Sequence, residues 1–281
     1  MKIINFVKNQ FGRNTEIPEK QTRTFFAEST TGQPICLPER KGAWESQVIS
    51  GLNGTGTVNL SLRFIENQID RGDGVIFFEN KTDFTLQSRL RTMAESAGRP
   101  SDFITIEATS DDQFITSLQQ ATTLLTEGYL KQQVICVSAP YPNCGEEARC
   151  WTSTLHIALL DAIRSVIGGK AQKPGRTQVY SNFVWMDKSS LSLFLQLGRA
   201  AGTYLTFLLP SLDMVNPEVL RMIHENVPVE IFLQQSPEGL AILREMLSLE
   251  AGAAAIGHLA SEQKSSLIFK EGSLVTLGWL R

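Results

Sequence analysis

The chain has 281 residues, 42% of them hydrophobic, a formal net charge of −3 and a pI near 5.7. That is enough for one large α/β domain with a full core. The acidic balance and the lack of any Lys/Arg run argue against a nucleic-acid grip, which shows as a basic face or stripe. No apolar stretch approaches the ~20 residues of a membrane helix.

Residues 1–20 are polar, lack sustained periodicity and read as a tail or docking arm, with Phe6 and Phe11 as its candidate anchors. The opening MKIINFVKNQFGRN breaks after Val7 and has no small-residue cleavage site, so it is not a secretory signal. Residues 21–281 make the main domain. Val48-Ile49 leads into Gly51–Leu60, GLNGTGTVNL. Asn59 to Arg71 has helical spacing in Leu60, Leu62, Phe64, Ile65 and Ile69, and stops at Gly72. Gly74–Glu79 is an apolar run of strand length. Thr82 or Asp83 caps a helix with Leu86, Leu90, Met93, Ala94 and Ala97 inward, ended by Gly98. Phe103–Glu107 is a strand, and Asp111 or Asp112 caps the next helix, closed by Gly128. Gln133–Ala139 is a strand and Ala148–Ile167 a long helix ended by Gly168-Gly169. Phe183–Asp187, FVWMD, reads as a strand, Leu191–Ala201 as a helix and Tyr204–Leu209 as a strand. Asn216-Pro217-Glu218 and Ser236-Pro237-Glu238 are helix starts, each a cap, a first-turn proline and an acid. Val229–Leu233 is the strand between them. The end, SSLIFKEGSLVTLGWL, reads as a hairpin around Glu271-Gly272.

Strands written as unbroken apolar runs are buried on both faces. Alternating with helices, they predict an α/β fold: a mostly parallel central sheet flanked by helices, with a C-terminal β-hairpin. Ligands in such folds sit at the carboxyl ends of the strands, and Gly51–Gly56 falls at such an end. The loop invites comparison with G-x-x-x-x-G-K-[ST]. Gly51 and Gly56 have the right spacing, and Gly54 adds flexibility. The lysine position holds Thr57, with no charge for the phosphates, and the metal-ligating hydroxyl position holds Val58. Backbone N–H groups at the helix start would still attract an anion; a plain strand-to-helix turn is the equal alternative.

Other chemistry finds little support. No G-x-S-x-G, H-E-x-x-H or C-x-x-C occurs. His156, His224 and His258 are scattered and read as structural. Cys36 and Cys136 lie in apolar runs. Cys144 and Cys150 are spaced for no zinc pattern, so all four are read as inert thiols and no metal site is expected. Trp151, beside the irregular Tyr141–Cys150 stretch, is a candidate interface anchor, since aromatic residues are enriched at hot spots.

Several phrases in order resemble the coupling ATPases of conjugation and type IV secretion, the TraD/TraG group, relatives of HerA and FtsK. Gly32-Gln33-Pro34-Ile35-Cys36-Leu37-Pro38 is similar to the G-x-P-h-x-L-P phrase that closes their opening β element. ISGLNGTGTVNLSLRFIENQIDRGDGVIFFENK follows their strand, glycine loop, helix and R-G-D-G strand, with Arg71-Gly72-Asp73-Gly74 especially characteristic. Phe183–Asp187 looks like the Walker B strand, and Gly198-Arg199-Ala200-Ala201-Gly202 resembles the phrase after it. The likeness covers roughly residues 25–281 and implies a P-loop NTPase-like fold of the RecA/HerA–FtsK type. No membrane anchor precedes the domain, and no stretch is left for the inserted helical domain of the family.

The departures fall on the chemistry. Beyond Thr57 and Val58, the glutamate expected after Asp187 is Lys188, and the polar sensor before Ser211 is Pro210. The resemblance therefore implies a catalytically inactive ATPase-like protein, not an enzyme and without cofactor. It would be an adaptor or accessory subunit of a type IV secretion coupling complex, with Dot/Icm-type machines a plausible home. Expected partners are protein subunits of that complex, with no nucleic acid and no direct membrane insertion. The chain would be monomeric within a larger assembly, cytoplasmic, and at the inner-membrane face through its partners. The alternative is a nucleotide-dependent P-loop ATPase with relocated residues, Lys81 or Lys188 reaching the phosphates and Asn59 or Ser61 helping a metal.

Overall fold

A computed structural model describes residues 25–37, 45–79, 84–107, 114–138, 146–183, 186–247, 249–260 and 266–280. The chain opens with two short strands, β1 (Phe25–Ser29) and β2 (Pro34–Cys36). Then β3 (Gln47–Ser50), α1 (Thr57–Asp70), β4 (Gly74–Glu79), α2 (Phe84–Ser96), β5 (Phe103–Glu107), α3 (Phe114–Leu130) and β6 (Val134–Ser138) follow. Next come α4 (Glu146–Ile167), β7 (Thr177–Ser181), α5 (Lys188–Ala201), β8 (Thr203–Leu209), α6 (Pro217–Asn226) and β9 (Val229–Phe232). The chain closes with α7 (Pro237–Met246), α8 (Leu249–Ala260) and the hairpin β10 (Ser266–Glu271) and β11 (Leu274–Leu280).

All strands join one sheet in the order β2-β1-β11-β10-β9-β3-β8-β7-β4-β6-β5. From β9 to β5 the pairing is parallel, and β10, β11, β1 and β2 extend one edge antiparallel. Successive side chains alternate between faces, which divides the core. Val48, Ile76, Phe78, Ile135, Val137 and Val179 face the cluster shared with α3, α4 and α5. Val75, Phe77, Val134, Cys136 and Tyr180 face Leu62, Ile65 and Ile69 of α1 and Leu86, Leu90 and Ala94 of α2. Ile49 and Ile231 turn to a third cluster that joins α1 to Phe26 of β1 and Phe269 of β10.

Two expectations are corrected here. The strand before α5 is Thr177–Ser181, not Phe183–Asp187. Gln178, Tyr180 and Ser181 make it look polar, yet it is buried throughout, with side-chain partners on β8 and α1. Gln178 Nε2 donates to Thr206 Oγ1 at 2.7 Å, and Tyr180 Oη donates to Gln68 Oε1 at 2.8 Å. Phe183 has a φ of 52°, outside strand conformation. Trp151, the candidate interface anchor, is 0% exposed and belongs to the core of α4. Phe6 and Phe11 lie outside the described residues.

The R-G-D-G phrase is the turn into β4. Gly72 takes a φ of 83°, and Arg71 pairs with Asp73 at 3.3 Å. Arg99, from the turn after α2, donates to the Asp73 carbonyl at 2.8 Å, the Gln132 carbonyl at 2.6 Å and the Asp102 carboxylate at 2.8 Å. One guanidinium thus ties three turns at the amino end of the sheet. Among the described residues, Cys36, Cys136 and Cys150 are in no disulfide and no His/Cys/Asp/Glu group of three could hold a metal ion. No helix there is long and apolar enough to cross a membrane.

Candidate functional site

The glycine loop lies where the topology places ligands: after the carboxyl end of β3, between β8 and β9. The main chain pins it to both neighbours. Gly51 N donates to Leu209 O at 3.2 Å and Leu52 N to Gln234 O at 2.8 Å. Within the loop, Thr55 donates to Leu52 O through its N at 3.1 Å and its Oγ1 at 2.7 Å. A Cβ on Gly51 would stand 2.6 Å from Thr55 Oγ1 and 2.8 Å from Leu233 Cβ, so the close approach requires glycine. Gly54 and Gly56 take φ of 84° and 106°, which L side chains rarely adopt.

Gly56 caps α1 without a side-chain bond, and no acidic residue stands in the first turn. The first intrahelical bond is Leu60 N to Gly56 O at 2.8 Å; the earlier N–H groups have no helical acceptor. The Thr57 hydroxyl is buried and has no hydrogen-bond partner among the described residues. It sits 3.4 Å from where a Gly51 Cβ would stand. Val58 is 47% exposed, at the mouth of the loop. Asn59 Oδ1 accepts from Arg89 Nη1 of α2 at 3.1 Å, which brings a guanidinium to the first turn of α1.

Of the other sequence-predicted positions, Pro210 borders the loop through its carbonyl, and Ser61, Asp187 and Lys188 are engaged in local contacts. Asp187 is exposed and serves as the N-cap of α5, accepting Ser190 N at 3.0 Å. Hydrogen bonds from the Ser190 hydroxyl and N–H hold its carboxyl below the usual carboxylate range. Lys188 opens α5 and pairs with Glu218 of α6 at 3.3 Å, both exposed. Ser61 Oγ donates back to Thr57 O at 2.8 Å, so it does not face the loop as a metal ligand. Lys81 lies outside the described residues. Pro210 contributes only its carbonyl, which accepts Ser50 Oγ at 2.7 Å.

What the sequence reading missed is a polar network under the loop. Gln235, just past β9, donates to Ser50 O at 3.1 Å and Leu233 O at 3.1 Å, and accepts Leu212 N at 3.0 Å. Ser236 N donates to Ser211 Oγ at 2.9 Å, and Ser236 Oγ caps α7 and reaches Asp213. Hydrogen bonds from Ser211 and Ser236 hold the Asp213 carboxyl below its ordinary range. Ser50, Ser211 and Gln235 are buried, and the three strand ends that meet at the loop are locked to one another. The Gln234-Gln235-Ser236 run after an apolar strand was the available signal. Gln235→Leu keeps the volume but orphans Leu212 N and one Ser50 acceptor. A loss of about 1–3 kcal/mol of stability is expected in chemical denaturation, and an unchanged midpoint would contradict this role.

Farther along the same sheet end, Ser138 Oγ donates to Glu79 Oε2 at 2.9 Å, and Gln87 joins Ser138 at 3.0 Å to Glu107 at 3.2 Å. His156 stacks between Phe78 and Phe183, with centroids 4.3 and 4.8 Å away, and its Nε2 meets Ser181 Oγ at 3.0 Å. Burial pushes its pKa down to about 3, so the ring stays neutral as a packing group. His224 meets Glu230 at 3.0 Å and His258 meets the Gly278 carbonyl at 2.8 Å, both structural.

No protein-family model matches the sequence, and no curated protein matches it. Solved structures do. VirB4 of Thermoanaerobacter pseudethanolicus aligns at 11% identity over 92% of this chain and 96% of its own, with a TM-score of 0.64. The genome packaging NTPase B204 from Sulfolobus turreted icosahedral virus 2, in complex with AMPPCP, aligns at 12% over 83% of this chain and 96% of its own, with a TM-score of 0.54. The plasmid coupling protein TrwB, in complex with the ATP analogue ADPNP, aligns at 13% over 84% of this chain and 85% of its own, with a TM-score of 0.54. At these identities the likeness is one of fold. It corrects the expectation of a non-enzyme: an NTPase and a coupling protein holding nucleotide analogues share this architecture, so the reading as a pseudo-ATPase does not stand. The chain has the fold of the P-loop ATPases of type IV secretion and conjugation.

Proposed function

We propose that this chain is a nucleotide-binding, ATPase-fold subunit of a secretion or conjugation assembly, working through contacts with other protein subunits at the inner-membrane face. The observation that carries this reading is the Gly51–Gly56 loop. It contains two positive-φ glycines, leads into the first turn of α1, and has the unpartnered Thr57 hydroxyl inside it. Main-chain N–H groups at a helix N-terminus bind phosphate without a side-chain charge.

The residues present do not fit a protein-held magnesium ion at this loop. Val58 has no oxygen, and Asp187 is engaged as a helix cap. Charge for the β and γ phosphates has to come from outside the loop. Arg89 at the first turn of α1 is one such group within the chain, and a neighbouring subunit is another source, as when an arginine finger is supplied in trans. Isothermal calorimetry of the purified chain with ATP, with and without Mg²⁺, tests the reading. Saturable binding that is weakened by Arg89→Ala is expected. Absence of any ATP or ADP binding would end it.

A further inference from the structure

We propose that the amino-terminal end of the sheet, around the α4–β7 connection, is a docking surface for an acidic segment of a partner protein. The turns entering β4, β5, β6, β7 and β8 all converge there, opposite the glycine loop. On the face covered by α4 and α5, charge at this end does not balance; Asp70 and Glu95 close α1 and α2 on the other face. Four cations have their own carboxylates: Arg71 with Asp73, Arg99 with Asp102, Lys131 with Glu127 and Arg164 with Asp161. Lys170, Lys173, Arg176 and Arg199 have no carboxylate within ion-pair distance among the described residues. The segment from Gly168 to Arg176 contains no acid at all.

These groups form one patch. Lys173 Nζ donates to Ala200 O at 3.0 Å, which seats it beside Arg199 at the end of α5. Arg176 O accepts from Gly74 N at 2.8 Å and from Gln132 Nε2 at 3.2 Å, which fixes the connection against the turns into β4 and β6. Thr177 N donates to Gly202 O at 3.0 Å, closing it against the turn into β8. A cation near a helix C-terminus can serve merely to offset the helix dipole. Lys170, Lys173 and Arg176, however, lie beyond the last turn of α4 and are exposed or half-exposed.

The occupant follows from the chemistry around the surplus. Ile167, the last residue of α4, is 44% exposed next to the basic connection, and apolar residues beside arginine suit a protein interface. Among the described residues, no large hydrophobic side chain exposed at this end is aromatic, so bases would find no stacking platform of the kind single-strand binders use. An acidic protein segment meets the basic side chains through its carboxylates and Ile167 through its apolar residues.

The test uses the full chain and two labelled probes, a short poly-L-glutamate peptide and an oligodeoxynucleotide of matched charge, followed by fluorescence anisotropy. The parent chain is expected to bind the peptide, less so as salt rises. The triple reversal K170E/K173E/R199E should weaken it about tenfold or more, whereas Arg221→Glu on α6 leaves it unchanged. Melting temperatures confirm that the exposed reversals keep the fold. Equal peptide binding by parent and triple variant, no peptide binding by the parent, or tighter binding of the oligodeoxynucleotide would each overturn the proposal.

Discussion

Replacing Thr57 with lysine and Val58 with threonine is expected to tighten ATP binding and to raise turnover by about 10²–10³ over the parent chain. The main-chain part of the cradle is already in place. Gly54 and Gly56 supply the positive-φ turns of the loop, and its closure onto β8 and β9 is independent of both side chains. The double variant therefore adds a charge and a metal-ligating hydroxyl to a finished scaffold, with little reorganisation. Position 58 is exposed, so threonine there disturbs no core packing. Lysine at 57 gives up only a hydroxyl that has no partner. Steady-state ATP hydrolysis and calorimetry, parent against variant, give the answer. Equal turnover would mean that groups away from the loop already supply the missing charge. It would shift attention to Arg89 and to neighbouring subunits.

Trp151→Ala is expected to cost about 3–5 kcal/mol of stability, the range for removing a buried tryptophan. The side chain is 0% exposed and is the largest of the fully buried ones in the core between the sheet and α3–α5. Its loss leaves a cavity in the cluster that α3, α4 and α5 share with the sheet. Urea denaturation followed by circular dichroism measures it. A tryptophan that served at a surface would instead leave the melting curve of the isolated chain unmoved, and that outcome would contradict the core assignment.

Much of the architecture was legible because local physics and tertiary structure agree. The run at 74–79 is a strand at those bounds and is buried along its whole length, and 103–107 is a strand at the sheet edge, partly exposed. Asn216 and Ser236 accept Glu218 N and Gly239 N as helix caps, as their place before Pro217 and Pro237 implied. The hairpin closes at Gly272, whose φ of 59° suits a two-residue turn. The reading failed at Thr177–Ser181, where buried polar side chains pair only with residues far away in sequence. It had no expectation for α8, whose Ala- and Gly-rich run carries weak periodicity.

At the site, glycine spacing announced the loop, because positive φ and close approach exclude other residues whatever surrounds them. The same text showed which side chains stand at positions 57 and 58. Sequence alone thus placed the glycines and showed that positions 57 and 58 carry no charge. Tertiary structure decided that Asp187 and Lys188 are spent on a helix cap and a surface ion pair, and that Trp151 is core. It also decided that Gln235 and Ser211 lock the strands beneath the loop, and that Lys173 at the far end is held by the Ala200 carbonyl. The reason is one of range. Conformational limits act within a few residues, whereas a hydrogen-bond partner, an ion pair or a burial depends on residues that only the folded sheet brings together.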